Sequence, residues 1–127
     1  GIAGHAGLFA TAHDVAQFGQ AWLSGDKRLG ISADIKQLAI NEQASGASRR
    51  GLGWMLKTQE DSSAGDSYSM SSYGHTGFTG TSLWIDPEKG LVSAVLTNRV
   101  YPGREVHGIH DFRRAIHDLI VRGIRSL

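Results

Sequence analysis

The sequence predicts an α+β domain: an antiparallel sheet of about four strands flanked by helices. Three patterns carry that expectation. They are a capped helical segment over residues 12–24, a strand–turn–strand pattern over residues 81–98, and an amphipathic helical pattern near the end of the chain. Helices set apart from antiparallel hairpins suggest α+β. The 127 residues are 40% hydrophobic and 20% charged, which is enough apolar material for a real core and too much for a disordered chain. A single domain over 1–127 is expected.

Residues 1–10 are small and apolar and read as a buried loop or short strand. Thr11-Ala12-His13-Asp14 has capping-box spacing. Val15, Phe18, Gly19 and Trp22 then share one helical face, and Gly25 stands where a helix should stop. Ser32 can cap a shorter helix carrying Ile35, Leu38 and Ala39. Residues 41–50 suit a loop. Leu52, Trp54 and Leu56 alternate, which predicts a strand over 51–57. Residues 58–72, rich in Ser, Asp and Gly, read as a long exposed loop. Thr81, Leu83 and Ile85 alternate with Ser82, Trp84 and Asp86, and Pro87-Glu88-Lys89-Gly90 is a turn signal. Leu91 to Asn98 completes a hairpin. Ile109, Phe112, Ile116, Leu119 and Ile120 fall at helical spacing and predict an amphipathic helix lying on the sheet.

Composition narrows the function classes. The net charge is +1, and Arg49-Arg50 and Arg113-Arg114 are isolated pairs, so a nucleic-acid or membrane-surface role has no electrostatic support. No apolar run approaches the roughly 20 residues that span a bilayer. There are no cysteines, which excludes disulfides and thiolate metal sites. The chain begins Gly1-Ile2-Ala3-Gly4, which reads like the middle of a protein.

The most informative stretch is Gly74-His75-Thr76-Gly77-Phe78-Thr79-Gly80-Thr81, followed at once by Ser82-Leu83-Trp84-Ile85-Asp86. A glycine-flanked His-Thr pair that opens into a strand can present an imidazole, a hydroxyl and backbone N–H groups along one edge. Each residue also has an ordinary reading. His75 can simply bond to neighbouring backbone. Thr76 is a good β-branched strand residue. Gly77 can mark a bulge. The Phe78 ring can be core.

This stretch resembles the substrate-binding strand of the serine β-lactamase and penicillin-binding protein superfamily, in its His-Thr-Gly variant. Two other stretches agree in order and spacing. Gly4-His5-Ala6-Gly7-Leu8-Phe9-Ala10-Thr11-Ala12-His13-Asp14 resembles a segment before a helix in that family. Leu96-Thr97-Asn98-Arg99-Val100-Tyr101-Pro102 resembles the end of the strand that follows. The resemblance implies a partial β-lactamase/transpeptidase-like fold, the C-terminal part of a larger domain, closed by the amphipathic helix. It implies that His75, Thr76, Gly77 and Phe78 bind substrate, with the Phe78 N–H as half of an oxyanion hole. Asn98 and Arg99 end a strand near such a site, and the plainer reading of them is a turn-closing Asn and a surface Arg. A Lys in place of His75 would be a permanent cation for a substrate carboxylate, whereas an imidazole without an acid beside it is mostly neutral at pH 7.

The family's nucleophile lies in Ser-x-x-Lys at a helix start, and its second motif is Tyr-x-Asn or Ser-x-Asn. Both are expected upstream in a longer parent protein, because Tyr68-Ser69-Met70 and Tyr101-Pro102-Gly103 lack the Asn. No catalytic residue is therefore expected in this chain, which should be inactive alone. No cofactor is expected. The parent would act on a small ester or amide, or on a peptidoglycan-like substrate. Family members are often periplasmic or extracytoplasmic. A rival reading is a non-catalytic assembly module, a homo-oligomer formed through an exposed sheet edge. His107, His110 and His117 have spacing that could share one helical face, but solvated surface histidines suit them better than a metal site.

Overall fold

A computed structural model describes residues 4–46, 48–105 and 107–124. The α+β expectation is borne out. Helix α1 (Ala12–Ser24) and α2 (Ala33–Ile40) precede four strands, β1 (Met55–Leu56), β2 (Tyr73–Thr76), β3 (Ser82–Asp86) and β4 (Leu91–Val95), and α3 (Ile109–Ile124) follows. The strands form one antiparallel meander in the order β1-β2-β3-β4.

Helix α1 starts where the capping box places it. The Asp14 N–H donates to Thr11 Oγ1, and the Thr11 N–H donates to Asp14 Oδ2, both at 3.2 Å. It ends at Gly25, whose φ of 71° is the left-handed conformation that suits glycine. The helix crosses the sheet at Gly19, where an added Cβ would come within 2.6 Å of Val92 Cγ1. Ser32 caps α2 through the Ile35 N–H.

Both faces of the sheet are covered. On one, Leu83, Ile85, Tyr73, Leu56 and Trp54 pack with Ala39 of α2 and Val15, Trp22 and Leu23 of α1. On the other, Trp84 packs with Val121 of α3 and with Ala64 and Tyr68 of the 58–72 segment. Strand β3 is consequently buried along its whole length.

Five sequence expectations are corrected. Residues 4–10 are exposed, with Leu8 97% and Phe9 100% accessible; residues 1–3 lie outside the described residues. The 51–57 strand shrinks to Met55–Leu56, because Gly53 turns with a φ of 77° and Leu52 stays half exposed. The 58–72 segment has no regular structure, yet Ser62, Ser63, Ala64, Tyr68 and Ser72 are buried, Ala64 and Tyr68 against Trp84 of β3 and Val121 of α3. Strand β4 stops at Val95 rather than Asn98. Helix α3 buries Arg113, His117 and Val121, while Phe112 and Leu119 stay accessible. The sheet face beneath α3 carries Ser82 and Ser93 beside Trp84, so polar partners are what it offers.

Gly74 lets β2 lie flat against β3. A Cβ there would overlap the Leu83 carbonyl oxygen and come within 2.6 Å of the Trp84 ring. Gly74→Val should destabilise by about 1–3 kcal/mol or more. The urea midpoint should fall with little change in slope; a wild-type midpoint would mean that the strand has room for the side chain.

Candidate active-site wall

The His-Thr-Gly stretch is strand β2 and the turn that leaves it. Strand β1 pairs with Tyr73 and Gly74 and reaches no further, while β3 pairs with β2 from Tyr73 to Thr76. The edge of β2 at His75 and Thr76 is therefore not covered by β1. His75 is exposed and Thr76 half-buried.

His75 is oriented from both ring nitrogens. Nδ1 lies 2.8 Å from the Thr76 carbonyl oxygen, which can only accept, so Nδ1 carries the proton. Nε2 lies 3.4 Å from Arg50 Nη1 and accepts from that guanidinium. A fixed cation thus stands beside the imidazole. Thr76 Oγ1 makes a weak contact of 3.8 Å to Met55 Sδ, which leaves its oxygen free to accept.

The turn after Thr76 is closed by two main-chain bonds. The Gly77 N–H donates to the Thr81 carbonyl at 2.8 Å, and the Gly80 N–H donates to the Gly77 carbonyl at 3.1 Å. Gly77 is glycine for a local reason: a Cβ would collide with Thr81 Oγ1. Every carbonyl from Gly77 to Thr81 accepts a hydrogen bond. Arg113 Nη2 reaches Gly77 O at 2.6 Å and Thr81 O at 2.9 Å. Arg99 Nε donates to Phe78 O at 2.7 Å, and the Arg99 N–H donates to Thr79 O at 2.9 Å. Thr97 Oγ1 donates to Gly80 O at 2.9 Å. By contrast, the Phe78 N–H donates to nothing among the described residues. The Phe78 ring is 63% exposed rather than core, and the Arg99 guanidinium sits 4.5 Å from its centroid.

Arg99 is thus no idle surface residue; it binds the turn that carries Phe78. Asn98 fits its plainer reading, its carbonyl accepting from the Tyr101 N–H across a turn. Each of the two arginine pairs divides. Arg50 meets His75 while Arg49 binds Glu42; Arg113 meets the turn while Arg114 reaches Asp61 and Asp66. Helical spacing was the available signal for Arg113, which lies one turn before His117.

The three C-terminal histidines do not converge. His110 bonds Asp61 at 2.8 Å, and His107 is exposed. His117 is corrected from surface to interior, with no exposure at all. Its Nε2 lies 3.0 Å from Ser82 Oγ and its Nδ1 2.8 Å from Ser93 Oγ, which in turn meets the Tyr68 hydroxyl at 2.7 Å. Burial, and then the Arg113 charge, push the His117 imidazole down to about 4. Burial also pushes the Tyr68 phenol up to about 12.

One Ser-x-x-Lys spacing does occur, Ser24-Gly25-Asp26-Lys27, which the assignment of the nucleophile to an upstream segment passed over. Its placement does not suit the role. Ser24 is the last residue of α1 and is exposed, and its hydroxyl donates to Ala21 O at 3.4 Å. A nucleophile at a helix start has free N–H groups beside it for an oxyanion, whereas a helix end presents carbonyls.

The comparisons with known proteins agree with this geometry. The family model described as Beta-lactamase matches residues 1–118. A protein of Salmonella agona (strain SL483), provisionally named as a D-alanyl-D-alanine carboxypeptidase, is 35% identical over 103 residues, covering 78% of this chain and 24% of its own length. A protein of the same name from Salmonella typhi is 36% identical over 108 residues, with the same coverage. The chain thus spans about a quarter of the length of these relatives. The crystal structure of a beta-lactamase from Mycobacterium bovis superposes with a TM-score of 0.71 at 26% identity, covering 90% of this chain and 44% of that one. A His-Thr-Gly strand in an α+β sheet, a family model over nearly the whole sequence and a shared fold lead to one assignment: the chain belongs to the Beta-lactamase family of serine hydrolases.

Proposed function

We propose that this chain is the substrate-binding wall of a serine acyl hydrolase that acts on D-alanyl-type peptides, with the nucleophile supplied by sequence outside it. The carrying observation is the unbonded Phe78 N–H at the end of a strand whose His75–Thr76 edge β1 leaves open. An extended peptide laid along that edge brings its carbonyl to the Phe78 N–H. The serine hydroxyl gives up its proton as its oxygen bonds to the carbonyl carbon, and the carbonyl oxygen gains negative charge that the N–H stabilises. Such a donor contributes about 2.7–4 kcal/mol to a transition state. Collapse breaks the C–N bond, and the leaving amine takes up the proton that the serine released. Water then cleaves the acyl-serine ester to give the acid and the free hydroxyl.

The carboxypeptidase name of the relatives supports a peptide with a terminal carboxylate. Arg50 supports the same substrate, because it supplies beside His75 the permanent cation that the imidazole lacks.

The test compares this chain with the complete encoded polypeptide, using a p-nitrophenyl ester and a D-alanyl-D-alanine peptide. The complete polypeptide should give a burst of one acyl group per molecule and release D-alanine, and this chain alone should give neither. A stoichiometric burst from this chain would overturn the assignment of the nucleophile. No acyl transfer by the complete polypeptide, together with an oligomer that covers residues 73–77, would favour an assembly module instead.

A further inference from the structure

We propose that Arg113 and Arg99 are positioning residues for the oxyanion donor, a pair of guanidinium groups that hold the carbonyl side of the Gly77–Thr81 turn and thereby fix the Phe78 N–H. The inference rests on the acyl-transfer reading above. The two groups come from different elements, Arg113 from α3 and Arg99 from the segment after β4, and they converge on one turn.

Arg113 is 7% exposed and donates to main-chain carbonyls, Gly77 O and Thr81 O, while its buried Nε has no partner among the described residues. Burying a guanidinium without a carboxylate is costly, and an apolar side chain of similar size commonly serves stability as well or better. Nor does the turn need Arg113 to satisfy its carbonyls. Gly77 O already accepts from the Gly80 N–H, and Thr81 O from the Gly77 N–H. What the arginine adds is a rigid bridge of 2.6 and 2.9 Å between the two ends of the turn.

Arg99 grips the middle. Its Nε binds the Phe78 carbonyl, its backbone N–H binds the Thr79 carbonyl, and its guanidinium stacks on the Phe78 ring. The peptide plane between Phe78 and Thr79 is held through its oxygen and the ring on one side of it. Rotation of the turn that would carry the Phe78 N–H away from a substrate oxygen must break these contacts. The arginines also lie close enough for each other's charge to be felt. Positive potential behind the turn favours an oxyanion in front of it.

The test uses Arg113→Met, Arg113→Lys and Arg99→Met in the complete encoded polypeptide, with two readouts. The first is acyl transfer to the p-nitrophenyl ester. Arg113→Met should lower kcat about 10- to 100-fold with KM within about twofold, since a misplaced donor is lost only from the transition state. Arg99→Met should lower it less, and Arg113→Lys should recover most of the rate. The second is amide exchange at Gly77 and Gly80, whose N–H groups close the turn. Exchange should rise at least about tenfold in Arg113→Met while the amides of β3 stay protected. Wild-type kcat with wild-type exchange would overturn the proposal, and so would a rise in KM alone. If the wild-type polypeptide makes no acyl-enzyme, the functional reading fails by itself. The exchange at Gly77 and Gly80 then still decides whether the arginines hold the turn.

Discussion

Asp86→Ala should cost the fold about 3–5 kcal/mol, the loss expected when a buried, charge-paired carboxylate is removed and its donors are stranded. Asp86 closes β3 with no solvent exposure and accepts five hydrogen bonds or ion-pair contacts. They come from the Ser69 N–H at 2.8 Å, Ser69 Oγ at 2.6 Å, the Glu88 and Lys89 N–H groups at 3.1 Å, and Lys89 Nζ at 3.2 Å. One carboxylate therefore fixes both the β3–β4 turn and the buried 58–72 segment. Burial alone would raise the Asp86 carboxyl, but the Ser69 and Lys89 donors outweigh it and hold it below the ordinary carboxylate value. The sign follows. A depressed carboxyl stabilises the fold above its unfolded value of 3.8, and the contribution is lost as pH falls through the folded value below that. Urea titration at pH 7 measures the cost. A midpoint within error of wild type would show that the five donors find other partners.

His117 should make the fold lose stability in a higher pH window. The imidazole falls from its ordinary 6.5 to about 4 on folding. Between those values the unfolded chain binds the proton and the folded chain does not, so stability is complete above about 6.5 and declines down to about 4. At about 1.4 kcal/mol per unit the decline amounts to about 3 kcal/mol. His117→Gln keeps a donor and an acceptor for Ser82 and Ser93 but cannot titrate. It should flatten the dependence of the urea midpoint on pH between 4 and 6.5. A variant that keeps the wild-type slope would assign the titration to another group.

What the sequence made legible was whatever local chemistry decides. The Thr11 capping box, the Gly25 stop, the Ser32 cap and the Pro87–Gly90 turn are each set by a few neighbouring residues, and each lies where expected. What it concealed depends on which surface an element meets. Helix α3 has its strongest apolar stripe at Phe112, Ile116 and Leu119, yet it seats Arg113, His117 and Val121 on the sheet. Periodicity reports that a helix has two faces and says nothing of the serines waiting on β3 and β4. The 58–72 segment looked solvated because its residues are small and polar. Asp86 and Asp118 supply the acceptors that allow it to be buried, with the Ser67 N–H donating to Asp118 Oδ1 at 2.7 Å. At the site, the His75–Phe78 strand was legible from its motif. Arg99 was named only for its place near a strand end, and Arg50 and Arg113 had no signal in that motif, because they arrive from 25 and 36 residues away in sequence.

The meander order of the sheet has a consequence for the path by which the fold forms. Each strand pairs with its neighbour in sequence, so the sheet can assemble hairpin by hairpin at small cost in loop closure. Helix α3 must instead join partners far behind it: Ser82 lies 35 residues from His117, and Ser67 lies 51 residues from Asp118. Its docking should come late, after the rate-limiting barrier. Substitutions at His117 and Asp118 should then speed unfolding and leave the refolding rate almost untouched, whereas substitutions in the β3–β4 hairpin should slow refolding.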